Sequence, residues 1–99
     1  MRYLKVAWRH DRADEPVLLF SECDDEGWEV RKVEMFRDGR IGYAGGLDSA
    51  GGTVLGERPT PDLAEITNQA EFDPTLISRR EFEKVWSAAR ARLSLATSH

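Results

Sequence analysis

The apolar and polar positions repeat every two residues over the first half of the chain and every 3.6 near its end, which predicts strands followed by helix. From Tyr3 to Arg9 or His10, Leu4, Val6 and Trp8 alternate with Tyr3, Lys5, Ala7 and Arg9, a strand with one apolar and one polar face. After the polar loop Asp11–Pro16, a second strand runs from Val17 to Glu22 or Cys23. Its Val17-Leu-Leu-Phe20 start is apolar on both faces, which places it inside the sheet and covered on both sides. Trp28–Phe36 is the third strand, between the turn signals Asp24-Asp-Glu-Gly27 and Arg37-Asp-Gly-Arg40. Asp38-Gly39 is a strong hairpin signal, and Ile41–Ala44 returns as strand four.

Strand three breaks its own alternation. Trp28 and Val30 share one face, yet Val33 and Met35 fall on the other. One extra residue, a β-bulge at Arg31-Lys32, brings all four to the core side and spares Val33 and Met35 the loss of about 1.5–3 kcal/mol of burial each. Arg31 then projects from the open face, beside Glu29.

Gly45–Gly52 holds four glycines in eight residues and reads as a loop, with Thr53–Glu57 as a short fifth strand at an edge. From Pro59 the signals turn helical: Thr60 caps, Pro61 takes the first helical position, and Leu63 and Ile66 lie one turn apart. Asn68–Pro74 breaks that pattern. Ser78-Arg-Arg-Glu81 is a capping box, and Ile77 and Phe82 are spaced as a hydrophobic staple. Phe82, Val85, Trp86 and Ala89 then form the apolar stripe of a C-terminal helix that must face the sheet. These elements predict an α+β fold: an antiparallel four- to five-stranded meander, then a short helix and a C-terminal amphipathic helix packed on one face. The expected single domain spans residues 1–93, with residues 94–99 a frayed tail.

The 99 residues suit one modest core. No apolar run approaches a membrane span, the start of the chain reads as a strand rather than a signal peptide, and the lone Cys23 has no internal disulfide partner, so a cytoplasmic location is expected. A formal net charge of −4 argues against general nucleic-acid binding. Eleven of the fourteen basic residues are arginine, a supply of planar forked donors for carboxylates or phosphates.

Neither histidine, His10 or His99, has a spaced metal-ligand partner, and Asp24-Asp-Glu26 lacks the alternation of a calcium loop. The glycine loop lacks the spacings of phosphate-binding motifs. No catalytic constellation, cofactor or metal site is expected. What remains is the polar side of the sheet, where Tyr3, Lys5, Arg9, Glu29, Arg31 and Tyr43 are the candidates for binding a partner or an anion, tyrosine and arginine being enriched at interface hot spots.

Several segments together resemble a set of short bacterial single-domain proteins of unknown function. They are Tyr3-Leu-Lys-Val6 with Trp8, Asp14-Glu-Pro-Val17, Glu26-Gly-Trp-Glu-Val-Arg-Lys-Val-Glu34, Asp38-Gly39, and Ile77-Ser78 with Glu81-Phe82 and Trp86. The resemblance implies a single α+β domain and supplies no catalytic residues. On the residues alone, the leading expectation is a cytosolic protein-interaction module that binds a protein partner through the exposed sheet face. An acidic immunity- or antitoxin-like protein steering onto a basic surface is its concrete version. The alternative is a protein or enzyme that binds a small molecule, nucleotide or other anion in a pocket between sheet and helices, with Arg9 and Arg31 gripping the anion.

Overall fold

A computed structural model describes residues 1–46, 48–57 and 59–97, with only the helical backbone of 94–97. Five strands follow one another as a meander: β1 (Arg2–Trp8), β2 (Leu18–Cys23), β3 (Glu29–Met35), β4 (Ile41–Gly45) and β5 (Asp48–Ala50). The short helix α1 (Leu63–Thr67) comes next, then β6 (Phe72–Leu76) and the long helix α2 (Arg79–Thr97). The sheet order is β5-β4-β3-β2-β1-β6, with every neighbouring pair antiparallel. The fold is α+β as the sequence predicts, with a sixth strand beyond the four or five expected. Among the described residues no helix is long and apolar enough to cross a membrane.

The added strand is β6, in a segment whose local pattern reads only as an interruption. It docks on the outer edge of β1, with Leu4 opposite Leu76 and Trp8 opposite Phe72. Ile77 N–H donates to the Tyr3 carbonyl at 3.0 Å and Arg9 N–H to that of Glu71 at 2.8 Å. The odd-numbered β6 positions therefore bond to β1, and the even-numbered ones turn their amide positions outward. Pro74 occupies an outward position, where its missing N–H costs β1 nothing.

The two helices cover opposite faces. Phe82, Trp86 and Ala89 of α2 pack with Tyr3, Phe20, Val33 and Tyr43, and Ile77, Val85, Met35 and Ile41 close around them. Leu4, Cys23 and Ile66 form a second cluster on the α1 side, with Val6, Leu63 and Phe72 against it. Strand two is thus apolar on both faces for the expected reason. The expected arrangement of both helices on one face is corrected: α2 lies over the Tyr3–Lys5–Ala7 side of β1, the side read as polar and open. A tyrosine ring is mostly apolar and buries well once its hydroxyl finds an acceptor.

The bulge exists one step earlier than expected. Glu22 pairs with Arg31 and Cys23 with Glu29, leaving Val30 as the extra residue. Alternation is then regular through Arg31, Val33 and Met35, so Arg31 faces α2 with the other two instead of projecting from an open face. Trp28, expected in the core, is 41 % exposed.

The predicted glycine loop is two turns around the three-residue strand β5. Gly46, Gly51 and Gly52 all have positive φ, and a Cβ on Gly51 would lie 2.5 Å from the Ile41 carbonyl oxygen. Thr53–Glu57 forms no strand. It crosses the α1-side face, held by side chains of β3: Thr53 Oγ1 donates to Glu34 at 2.8 Å and Gly56 N–H to Glu29 at 2.6 Å. The cap of α1 is Asp62, whose Oδ1 accepts from Glu65 N–H at 2.9 Å, rather than Thr60. Ser78 caps α2 as predicted, accepting from Glu81 N–H at 3.0 Å. The expected frayed tail overlaps the last turn of α2 and residues 98–99, which lie outside the described residues.

Candidate functional site

The six candidate residues do not share one open face. Tyr3 and Tyr43 are buried in the α2 core, Lys5 is exposed with its ammonium 5.9 Å from the Phe20 ring centre, and Arg9 donates to the Ala70 carbonyl. Glu29 lies on the α1 side. Arg31 is level with Tyr3 across β2, whereas Arg9 is six residues farther along the chain, just past the end of β1 and about 20 Å away at strand rise. The two arginines offer no common anion site.

What the structure brings together is Tyr3, Glu22, Arg31 and Glu83. Arg31 Nε donates to Glu22 Oε1 at 2.6 Å and Nη2 to Oε2 at 2.9 Å, while Nη1 reaches Glu83 Oε1 at 2.6 Å. Its guanidinium carbon stands 4.9 Å from the Phe82 ring centre and 5.2 Å from that of Trp86. Tyr3 Oη donates to Glu22 Oε2 at 2.9 Å. The forked pair and the aromatic roof suit arginine and not lysine. The bond from Arg31, helped by that from Tyr3, holds the Glu22 carboxyl below the usual range against the opposing effect of burial. Burial, then Glu22, pushes the Tyr3 hydroxyl up, and Glu22 raises the Arg31 guanidinium despite its burial. With donors on all three of its nitrogens engaged, this arginine ties sheet to helix. Glu22 was legible in principle: it shares a face with Phe20, so its carboxylate needed a buried cation.

The opposite face keeps an opening. Val6, Leu19 and Ser21 form the floor of a pocket of about 360 Å³, Ile66 and Phe72 one wall, and the Glu29 carboxylate the polar end. Thr60 and Pro61 bound it too, and their loop is pinned because Thr60 N–H donates to the Gly27 carbonyl at 2.7 Å. Glu29, its side chain 9 % exposed, accepts from Ser21 Oγ at 3.0 Å on Oε2 and from Gly56 N–H on Oε1, with Lys32 Nζ 3.5 Å from Oε1. The sequence offered a pocket between sheet and helices only as an alternative and assigned it none of these lining residues, because where α1 and β6 sit on the sheet is set by tertiary contacts. Thr60 also meets the Cys23 thiol at 3.6 Å; burial raises that thiol's pKa, which opposes thiolate chemistry. Among the described residues no group of three or more His, Cys, Asp or Glu side chains is placed to hold a metal ion.

A family model for a domain of unknown function, DUF6881, matches residues 2–91. The chain belongs to the DUF6881 family. This agrees with the resemblance to an uncharacterised single-domain family, since one DUF6881 domain spans β1 through most of α2. Comparison with curated proteins and with solved structures gives no match.

Proposed function

We propose that this chain is a protein-interaction module that docks a basic partner on the α1-side face of its sheet. One observation carries the reading: that face combines open apolar surface with concentrated negative charge. Val54 is 73 % exposed in the segment crossing the face, beside half-buried Leu55 and the open pocket. Residues 53–71, the stretch before β6, carry four acidic side chains against one arginine. Residues 79–92 of α2, on the other face, carry five basic against two acidic. An apolar patch rimmed by charge of one sign suits docking, and that charge steers an oppositely charged surface onto it. An acidic inhibitor seated on a basic protein, as an immunity or antitoxin protein is, is the concrete version.

A photo-crosslinking residue at Val54, compared with one at Arg80 on α2, tests this in the host cell. The expected result is a single adduct from position 54 with a basic protein that rebinds when both are purified. No adduct at 54, or equal capture from both positions, overturns the assignment. An adduct of the chain with itself would instead join the acidic face to the basic helix of a second copy.

A further inference from the structure

Resting on that docking reading, we infer that the pocket between β1, β2 and α1 is the anchor point of the interface and receives a lysine or arginine side chain of the partner. The pocket is apolar along its length, with Val6, Leu19, Ile66 and Phe72, and ends in one carboxylate. An alkyl stem with a cationic tip has the same order of chemistry. At about 360 Å³ the pocket is near the lower end of ligand-site volumes, room for one side chain rather than a large cofactor.

The polar end selects the sign of charge. A carboxylate has about four acceptor positions. On Glu29, Gly56 N–H and Lys32 occupy Oε1, and Ser21 takes one position on Oε2, so Oε2 keeps a position for another donor. Ser21 spends its own proton on Glu29, and the Thr60 oxygen accepts from the Cys23 thiol, so the Thr60 hydroxyl and the Gln69 amide are the neutral polar groups left in the lining and neither carries a positive charge. Glu29 is the one ionisable side chain in the lining, so a carboxylate or phosphate guest would meet a like charge. A buried anchor in a preformed pocket, surrounded by weaker contacts, is how interfaces concentrate affinity.

Titration of the ¹⁵N-labelled full chain with butylguanidine and pentylamine, with pentanoate as control, tests the pocket by NMR. Both cations are expected to bind in the millimolar range and shift the amides of Val6, Leu19, Gly56 and Gln69, with pentanoate silent. Glu29→Gln should weaken cation binding at least about tenfold, the loss of a charge-assisted hydrogen bond. Leu19→Phe, which narrows the pocket and leaves the carboxylate intact, should abolish it; the amide spectra of both variants report whether they remain folded. Equal shifts from pentanoate, shifts confined to other residues, or undiminished binding in a folded Glu29→Gln chain overturn the inference. Adducts from Val54 without cation binding refute the anchor and leave the docking reading standing. Cation binding without any adduct supports the pocket chemistry and refutes the docking reading.

Discussion

Glu22 and Arg31 face each other across β2 and β3 at the last regular pair before the bulge, joined by two hydrogen bonds of 2.6 and 2.9 Å. Glu22 is buried and the Arg31 side chain is 19 % exposed, so neither charge is solvated as it would be in the unfolded chain. Removing one partner strands the other, whereas replacing both with apolar groups of similar size is often neutral. The pair therefore selects a geometry, the seating of α2 over the bulge, more than it adds net stability.

The Arg31→Met variant should lose about 3 kcal/mol of unfolding free energy, the lower end for a buried pair because Glu83 and solvent reach the guanidinium. Glu22→Gln with Arg31→Met should lose less than the sum of the single changes, by about 0.5–3 kcal/mol. Urea unfolding of the four chains measures this, and strictly additive losses would show that the two residues act independently.

Acid should weaken the native chain partly through Glu22. Its folded pKa lies below the unfolded value of about 4.3, so its stabilisation is complete above that value and is lost as pH falls through the depressed folded pKa. Unfolding free energy measured from pH 6 downward should fall less steeply in Glu22→Gln over this window. Parallel curves would mean that another carboxylate controls acid unfolding.

Alkali should act through Tyr3. Burial raises its folded pKa, so the stability it contributes is present below about pH 10 and is lost as pH rises through the folded value. In a Tyr43→Phe chain, tyrosinate absorbance should appear only above the pH at which the urea-unfolded chain titrates. Coincident titrations would place the Tyr3 hydroxyl in solvent.

Gly45 is the floor beneath Arg31. A Cβ there would stand 2.6 Å from Arg31 Cγ and 3.1 Å from its Cα, closer than packed atoms tolerate. Gly45→Ala should cost about 1–3 kcal/mol by overpacking, and less in an Arg31→Ala background where Cγ is gone. An equal cost in both backgrounds would move the clash to the β3 backbone.

Pro74 guards the free edge of β6. Of the outward amide positions, Phe72 N–H is bonded to the Gln69 carbonyl at 3.0 Å and Pro74 has none. Pro74→Thr restores a donor to an exposed strand and should raise concentration-dependent association in sedimentation velocity. Unchanged sedimentation would show that shape or charge protects this edge.

Local chemistry carried much of this fold. The period-two runs marked β1 to β4, Asp38-Gly39 set a hairpin, and Ser78 with the Phe82–Ala89 stripe defined α2, because each signal is satisfied by neighbours within a few residues. Tertiary structure decided the rest. Alternation shows which side chains share a face, but not which helix covers it; β1 offered Leu4 to one side and Tyr3 to the other, and both were used. The pairing of β6 with β1 joins residues about seventy positions apart, and no local pattern announces it. The bulge fell at Val30 rather than Arg31 because Arg31 has Glu22, Glu83 and two aromatic rings waiting on the α2 side, partners that exist only once sheet and helix have met.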